Sequence, residues 1–253
     1  MKVLFLGTGT SKGIPVIGSE NEVCLSKDSK DKRLRSSVLV SWDTLNYVID
    51  CGPDFRMQML NANISKIEGI LYTHEHSDHT AGLDDIRPFT QKYGDLPLFA
   101  KKRVLKNLKK RFDYIFTTEN KYPSAPSVIP NIIKNSPFLL NNLEVMPIKV
   151  LHGKLSIFGY RFDKFAYLTD VSFIKEREKK KLKDLNVLVI NALRIAEHPT
   201  HFNLEKALDF IKEINPKKAY ITHISHQLGF HETVEQQLPN NVFLAYDGLE
   251  IEV

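Results

Sequence analysis

Thr73-His74-Glu75-His76-Ser77-Asp78-His79 is the densest chemistry in this 253-residue chain, and its reading decides the fold. Four side chains able to bind a metal fall within the six residues 74–79, directly after the apolar run Gly69–Thr73. That run reads as a strand. In extended backbone, residues two apart share a face, so His74 and His76 can address one ion. A helix beginning near Ser77 and Asp78 turns the chain away toward a second ion. Imidazole nitrogens with a carboxylate suit zinc or manganese, and also iron, better than calcium or magnesium.

Four ligands cannot complete two sites, so further ones must come from elsewhere. Three strand-like segments each end in a suitable residue: His152 follows Val145–Val150, Asp170 follows Phe165–Thr169, and His223 follows Ala219–Thr222. In a layered α/β domain, residues at strand ends on one edge converge on a common cleft.

Further strands are expected at Lys2–Leu6, Ser37–Trp42, Tyr47–Asp50, Ile157–Phe162, Val187–Ile190 and Val242–Tyr246. Helices alternate with them. One covers Asp54–Ala62, and Leu83, Ile86 and Phe89 at spacing three suit a second. Leu204, Ala207, Leu208, Ile211 and Ile214 mark a third, with Asn203 as N-cap and Asn215-Pro216 as its stop. The stretch Thr117–Pro137 holds four prolines and reads as a surface excursion. Strands mixed with helices throughout indicate an α/β layered domain, taken as a single unit over residues 1–253.

Composition is ordinary for a globular protein, at 42% hydrophobic and 26% charged. Two cysteines cannot build a disulfide framework. Met1–Leu6 is too short for a signal core, and no apolar run reaches the roughly 18–20 residues of a membrane span, so a cytoplasmic location without a membrane partner is expected. The net charge of +5 is concentrated in Lys101–Arg111 and Lys175–Lys183. Either run reads as a solvated helix face or, less favourably, as a patch for RNA or another polyanion.

In order along the chain, His74, His76, Asp78, His79, His152, Asp170 and His223 match the seven ligands of metallo-β-lactamase-fold hydrolases, which the sequence resembles over its whole length. Leu6-Gly7-Thr8-Gly9-Thr10-Ser11 and Ile49-Asp50-Cys51-Gly52-Pro53-Asp54-Phe55-Arg56 belong to the same likeness. Within that superfamily the chain is most similar to the branch containing the cyclic phosphate phosphodiesterase of phosphonate breakdown. Gly13-Ile14-Pro15-Val16, Arg35-Ser36-Ser37 and Asp84-Asp85-Ile86-Arg87-Pro88-Phe89 carry that closer similarity. The resemblance implies an αββα sandwich with two divalent metal ions at one edge. His74, His76 and His152 would hold one, Asp78, His79 and His223 the other, and Asp170 would bridge them. Members of this branch often add a structural zinc held by three cysteines and a histidine. The corresponding positions here are Ser19, Asn21 and Cys24, with His226 kept. No such zinc is expected, and Cys24 reads as a buried or half-buried thiol.

Two divalent ions, less the Asp78 and Asp170 carboxylates and a bridging hydroxide, leave a site near about +1, which favours an anionic substrate. The expected reaction is hydrolysis of a small or cyclic phosphodiester by that hydroxide, oriented by Asp78. The resemblance implies His201 as the general acid, while His198 and His231 read as surface loop residues. Arg87 either meets a substrate phosphate or pairs with Asp84 and Asp85. Competing functions are a tRNA 3′-processing endonuclease, a thioester or lactam hydrolase, and a di-iron redox or non-catalytic scaffold. The first lacks a glycine-bearing arm, because Thr117–Pro137 contains no glycine. Self-association into a homodimer is left open.

Overall fold

A computed structural model describes residues 1–253. Six strands come first: β1 (Lys2–Gly7), β2 (Ser37–Trp42), β3 (Leu45–Ile49), β4 (Gly69–Leu71), β5 (Leu96–Ala100) and β6 (Val128–Ile132). Eight follow: β7 (Phe138–Leu140), β8 (Leu143–His152), β9 (Leu155–Phe162), β10 (Phe165–Tyr167), β11 (Phe173–Ile174), β12 (Val187–Asn191), β13 (Lys218–Thr222) and β14 (Val242–Leu244). β15 (Glu250–Glu252) returns to the first group. The first sheet runs β15-β1-β2-β3-β4-β5-β6 and the second β11-β8-β9-β10-β12-β13-β14, with β7 also paired to β8.

The central strands are apolar on both faces because both faces are covered. Val38, Val40, Tyr47 and Ile49 point inward to meet Phe158, Tyr160, Phe165 and Tyr167 of the second sheet. Their neighbours Leu39 and Val48 point outward, into a layer closed by Phe55, Met59, Leu83, Ile86, Phe89 and Val104 from the helices. On the far side, Leu188 and Ile190 pack with Ala207, Phe210 and Ile211 of the helix Leu204–Ile214. Period-two alternation within each strand thus feeds three apolar layers, giving the expected αββα sandwich. No helix is long and apolar enough to cross a membrane.

Strand direction places the chemistry. β3 and β4 are parallel, so Asp50 and the Thr73–His74 segment leave the first sheet at the same edge. β8 and β10 are each antiparallel to β9, hence co-directional, and β10, β12 and β13 are parallel. His152, Asp170 and His223 therefore also emerge together. Two hydrogen bonds staple the sheets here: Phe158 N–H donates to Thr73 O at 3.1 Å, and the Tyr160 hydroxyl donates to Tyr72 O at 2.6 Å.

Local expectations meet the structure unevenly. Asn203 caps its helix by accepting from Lys206 N–H, and Asn215 ends it in a left-handed conformation. Leu83, Ile86 and Phe89 are buried as expected, although a 3₁₀ turn (Leu83–Ile86) precedes the helix Arg87–Tyr93. The surface excursion Thr117–Pro137 is corrected in part, since residues 128–132 form β6. Pro130 is tolerated there because β6 is an edge strand whose outer side needs no N–H donor. His231 is also corrected. It is buried at the start of a short helix, beside the buried Arg33, whose Nη2 lies 3.1 Å from its Nδ1.

The loop after β3 packs on the His74–His79 turn without slack. Cys51 N–H donates to His79 O at 2.8 Å, and a Cβ on Gly52 would collide with the Asp78 carbonyl. Gly52→Ala is therefore expected to destabilise the protein by about 1–3 kcal/mol. Chemical denaturation checks this, and an unchanged midpoint would contradict the packing described.

Candidate metal centre

β4 leads through Tyr72 and Thr73 to His74 and His76 in extended backbone, and His76 then becomes the N-cap of the helix Ser77–Thr80. Asp78 and His79 occupy its first turn. This change from period 2 to a helical turn splits one short segment into two sets of ligands. The other members come from backbone turns. Asp50, Asp170 and His223 all have φ between 54° and 65° (φ 65°, 57° and 54°). Left-handed backbone costs a non-glycine residue of order 1 kcal/mol, and here it re-aims each side chain from its strand end into the cleft.

Fixed hydrogen bonds hold the turns. Asp50 N–H donates to Leu71 O, Ile224 N–H donates to Thr8 O, and Val171 N–H donates to the Asn191 side chain at 2.6 Å. The Ser37 hydroxyl donates to the Asp50 carbonyl at 2.8 Å.

All seven predicted ligands come together. His74, His76 and His152 form one trio whose nitrogen atoms lie within 4.8 Å of one another. Asp78, His79 and His223 form a second of the same closeness, and Asp170 groups with His74 and His79. Asp170 Oδ2 is 3.2 Å from His79 Nε2, and its Oδ1 is 3.2 Å from His223 Nε2. His201 Nε2 lies 3.0 Å from the same Oδ1. His201 thus sits against Asp170, and with His152 these residues make one more trio of metal-ligand spacing.

The protonation pattern describes a site built around positive charge. Burial opposes the Asp78 carboxylate, but His79 and His223 outweigh it and hold that carboxyl below the ordinary range. Asp170 behaves alike: burial raises it, and His223 and His79 more than compensate. Burial also works against a charged His79, yet Asp78, Asp170 and Asp50 together raise it well above the usual imidazole range. His74 is pushed down chiefly by burial.

Do these residues fit divalent metal ions? His79 Nε2 and both nitrogens of His223 are buried and have no hydrogen-bond partner. Orphaned buried nitrogens are costly, and here they converge with two carboxylates. Nitrogen donors with carboxylate oxygens are the donor set of a zinc-, manganese- or iron-type ion. The residues fit.

Outer contacts set the tautomers. His152 Nδ1 lies 2.8 Å from Thr200 O, so it donates there and leaves Nε2 for the cleft. Asp50 does the same for His79, with Oδ2 at 2.7 Å from Nδ1, while the Thr73 N–H and hydroxyl bind its carboxylate at 2.8 and 2.7 Å. A carboxylate behind a ligating histidine fixes the ring and strengthens the donor. Ligand spacing does not reveal Asp50. Its signal is an acid closing an apolar strand, which ordinarily marks a turn.

One other expectation changes, and one open choice is decided. His198 is half-buried, not a free surface residue, with Nδ1 3.1 Å from His201 Nδ1. Arg87 is taken by Asp84, with Nη2 2.7 and 2.9 Å from its two oxygens, and by Ser124 O at 2.7 Å, so its contacts are structural. Cys24 is buried, with its sulfur 3.5 Å from Val16 N, and Asn21 caps the turn Glu22–Leu25.

Comparison with known proteins sharpens the picture. Residues 45–224 match the profile of the beta-lactamase superfamily domain. A crystal structure of a diphosphatase from the PhnP family superposes with a TM-score of 0.93 at 40% identity, covering 100% of this chain and 97% of that one. An octanoyltransferase of Porphyromonas gingivalis is 39% identical over 99% of this chain, which spans only 51% of that protein's length. Ribonuclease Z of Bacillus subtilis is 24% identical across 100% of this chain and 99% of its own.

Asp50→Asn keeps the shape and removes the charge behind His79. It is expected to weaken metal affinity by about 10–100-fold, measured by competition with a chelating dye. Equal affinity in the two proteins would remove Asp50 from the centre.

Proposed function

This chain belongs to the metallo-β-lactamase superfamily and is a metal-dependent hydrolase, and from that premise we propose that it cleaves a small or cyclic phosphodiester at the His74–His223 cluster. One observation carries the reading: His201 lies with Nε2 3.0 Å from Asp170, which itself faces His79 and His223. An ionisable imidazole against the shared carboxylate suits a reaction whose leaving group needs a proton. A phosphodiester is such a substrate, and the similarity to a PhnP-family diphosphatase supports chemistry at phosphorus.

In this reading His74, His76 and His152 would hold one ion and Asp78, His79 and His223 a second, with Asp170 available to both. Bound divalent ions supply Lewis acidity and positive charge for the phosphate. The protein's own groups do the rest. Asp78 and Asp170 are held below the ordinary carboxyl range by their histidines against the effect of burial, so each stays a hydrogen-bond acceptor that can orient a donor within the cleft. Asp50 and Thr200 O hold the His79 and His152 rings in the required tautomers.

His201 delivers the proton to the departing alkoxide from Nε2, while Thr200 Oγ1 and His198 Nδ1 stand 3.0 and 3.1 Å from its other nitrogen. Without substrate, burial pushes His201 down to about 4, with Asp170 acting in the opposite direction. An anionic phosphodiester against the ring raises its proton affinity further, because a nearby negative charge favours the protonated form. Substrate binding and protonation of His201 are thereby coupled.

The test is steady-state hydrolysis of paired phosphodiesters with good and poor leaving groups. His201→Ala is expected to slow an alkyl-leaving substrate by about 10²–10⁴-fold, with a smaller loss for a nitrophenolate leaving group and unchanged metal content. Equal losses on both substrates, or none, would remove His201 as the acid. A wild-type protein that hydrolysed thioesters but no phosphodiester would overturn the substrate.

A further inference from the structure

Asn191 is a polar residue at the end of an otherwise apolar strand. β12 reads Val187-Leu188-Val189-Ile190-Asn191, and all five residues are buried. By alternation Asn191 shares the face of Val187 and Val189, which pack toward the first sheet. An amide buried without partners is costly, so its contacts must account for its place. Both go to one residue. Asn191 Oδ1 accepts from Val171 N–H at 2.6 Å, and Nδ2 donates to Val171 O at 3.2 Å.

The turn at Asp170 creates the need for this side chain. β10 and β12 run in register from Phe165 beside Val187 to Tyr167 beside Val189, and Leu168 N–H still donates to Val189 O at 2.8 Å. The chain then leaves the sheet at left-handed Asp170. Val171 N–H has no backbone acceptor there, and the Asn191 side chain stands in for the missing strand. Three parts of the cleft meet at this contact. Val171 directly follows Asp170. Its carbonyl also accepts from Phe202 N–H at 2.6 Å, next to His201. Asn191 itself pairs in register with Thr222, the residue before His223. The side chains carried by these backbones converge in turn: Asp170 Oδ1 is 3.0 Å from His201 Nε2 and 3.2 Å from His223 Nε2.

We propose that Asn191 is a positioning residue: through the Val171 peptide it sets the Asp170 carboxylate against His201 and His223. The part concerning His201 rests on the phosphodiesterase reading, and the part concerning Asp170 rests on the metal-ligand set alone. Asn191 hydrogen-bonds none of the seven ligands and acts through the backbone. Its leverage comes from convergence. Groups on separate loops approach one carboxylate oxygen, and a displacement of about 1 Å in such a constellation lowers rate on the order of 10²-fold. The same displacement loosens the Asp170 position on which metal affinity depends.

The experiment sets Asn191→Leu, which keeps the size and removes both hydrogen bonds, beside Ile211→Ala. The second substitution opens the apolar layer on the other face of β12 and serves as a control for lost stability. Asn191→Asp, which keeps an acceptor for Val171 N–H and loses the donor to Val171 O, replaces Asn191→Leu if that variant does not fold. Metal affinity, read by dye competition, is expected to fall about 10–100-fold in the Asn191 variant and to stay unchanged in Ile211→Ala. At saturating metal the Asn191 variant is expected to slow an alkyl-leaving phosphodiester by about 10²-fold, with a smaller loss for a nitrophenolate leaving group. In a His201→Ala background that leaving-group penalty disappears, because both substitutions act on one proton delivery. Affinity lowered equally in the Asn191 variant and Ile211→Ala, or unchanged in both, overturns the proposal. So does a leaving-group penalty that persists in full on top of His201→Ala. If the wild type hydrolyses no phosphodiester, the phosphodiesterase reading falls alone, and the metal affinities still decide the role of Asn191.

Discussion

Three carboxylates, Asp50, Asp78 and Asp170, meet the buried imidazoles of His74, His79 and His223, with His76, His152 and His201 beside them, at the edge where the two sheets adjoin. Gathering negative charge out of water is costly unless an opposing charge is supplied. Within the protein alone His79 offsets part of it, since burial works against its charge but Asp78, Asp170 and Asp50 together raise its proton affinity. The orphaned nitrogens of His79 and His223 show that protein groups do not complete the balance. Divalent cations would. The cleft is thus arranged for charge that the polypeptide lacks, and the surrounding architecture serves to hold these groups where they would otherwise not stay.

The sandwich does so through direction and strain. Parallel pairing sends Asp50 and His74 out of one sheet and Asp170 and His223 out of the other at a common edge. Left-handed backbone at Asp50, Asp170 and His223 then bends each into the cleft, and each bend is tied by hydrogen bonds to a neighbouring strand or loop. Glycine at position 52 lets the loop beneath the ligand turn come into contact with the Asp78 backbone. Apolar layers on three levels provide the stiffness that lets strained turns persist.

Much of this was legible in the sequence because it rests on short-range rules. The H-x-H-x-D-H spacing, the apolar strands ending in His152, Asp170 and His223, and the Asn203 cap are all local patterns, and the structure brings those residues to their expected neighbourhood. The rest depends on partners far along the chain. Asp50 reads as the end of a strand, and its place behind His79 emerges only when β4 is laid beside β3. His231 reads as exposed until Arg33 is found next to it. Pro130 argues against a strand unless the strand is known to lie at an edge. Arg87 had two equal readings, and Asp84 three residues earlier takes it. The two basic runs differ already in sequence, the second carrying Glu176 and Glu178 and the first no acid, but only the folded chain reveals that Glu75 reaches Arg103 and Glu213 reaches Lys179.

The most direct measurement is anomalous X-ray diffraction from crystals of the metal-loaded protein, collected on either side of the absorption edge of the bound metal. The account predicts two peaks, one among His74, His76 and His152 and one among Asp78, His79 and His223, with Asp170 between them. Anomalous density absent from both trios, or found only elsewhere in the molecule, would contradict it.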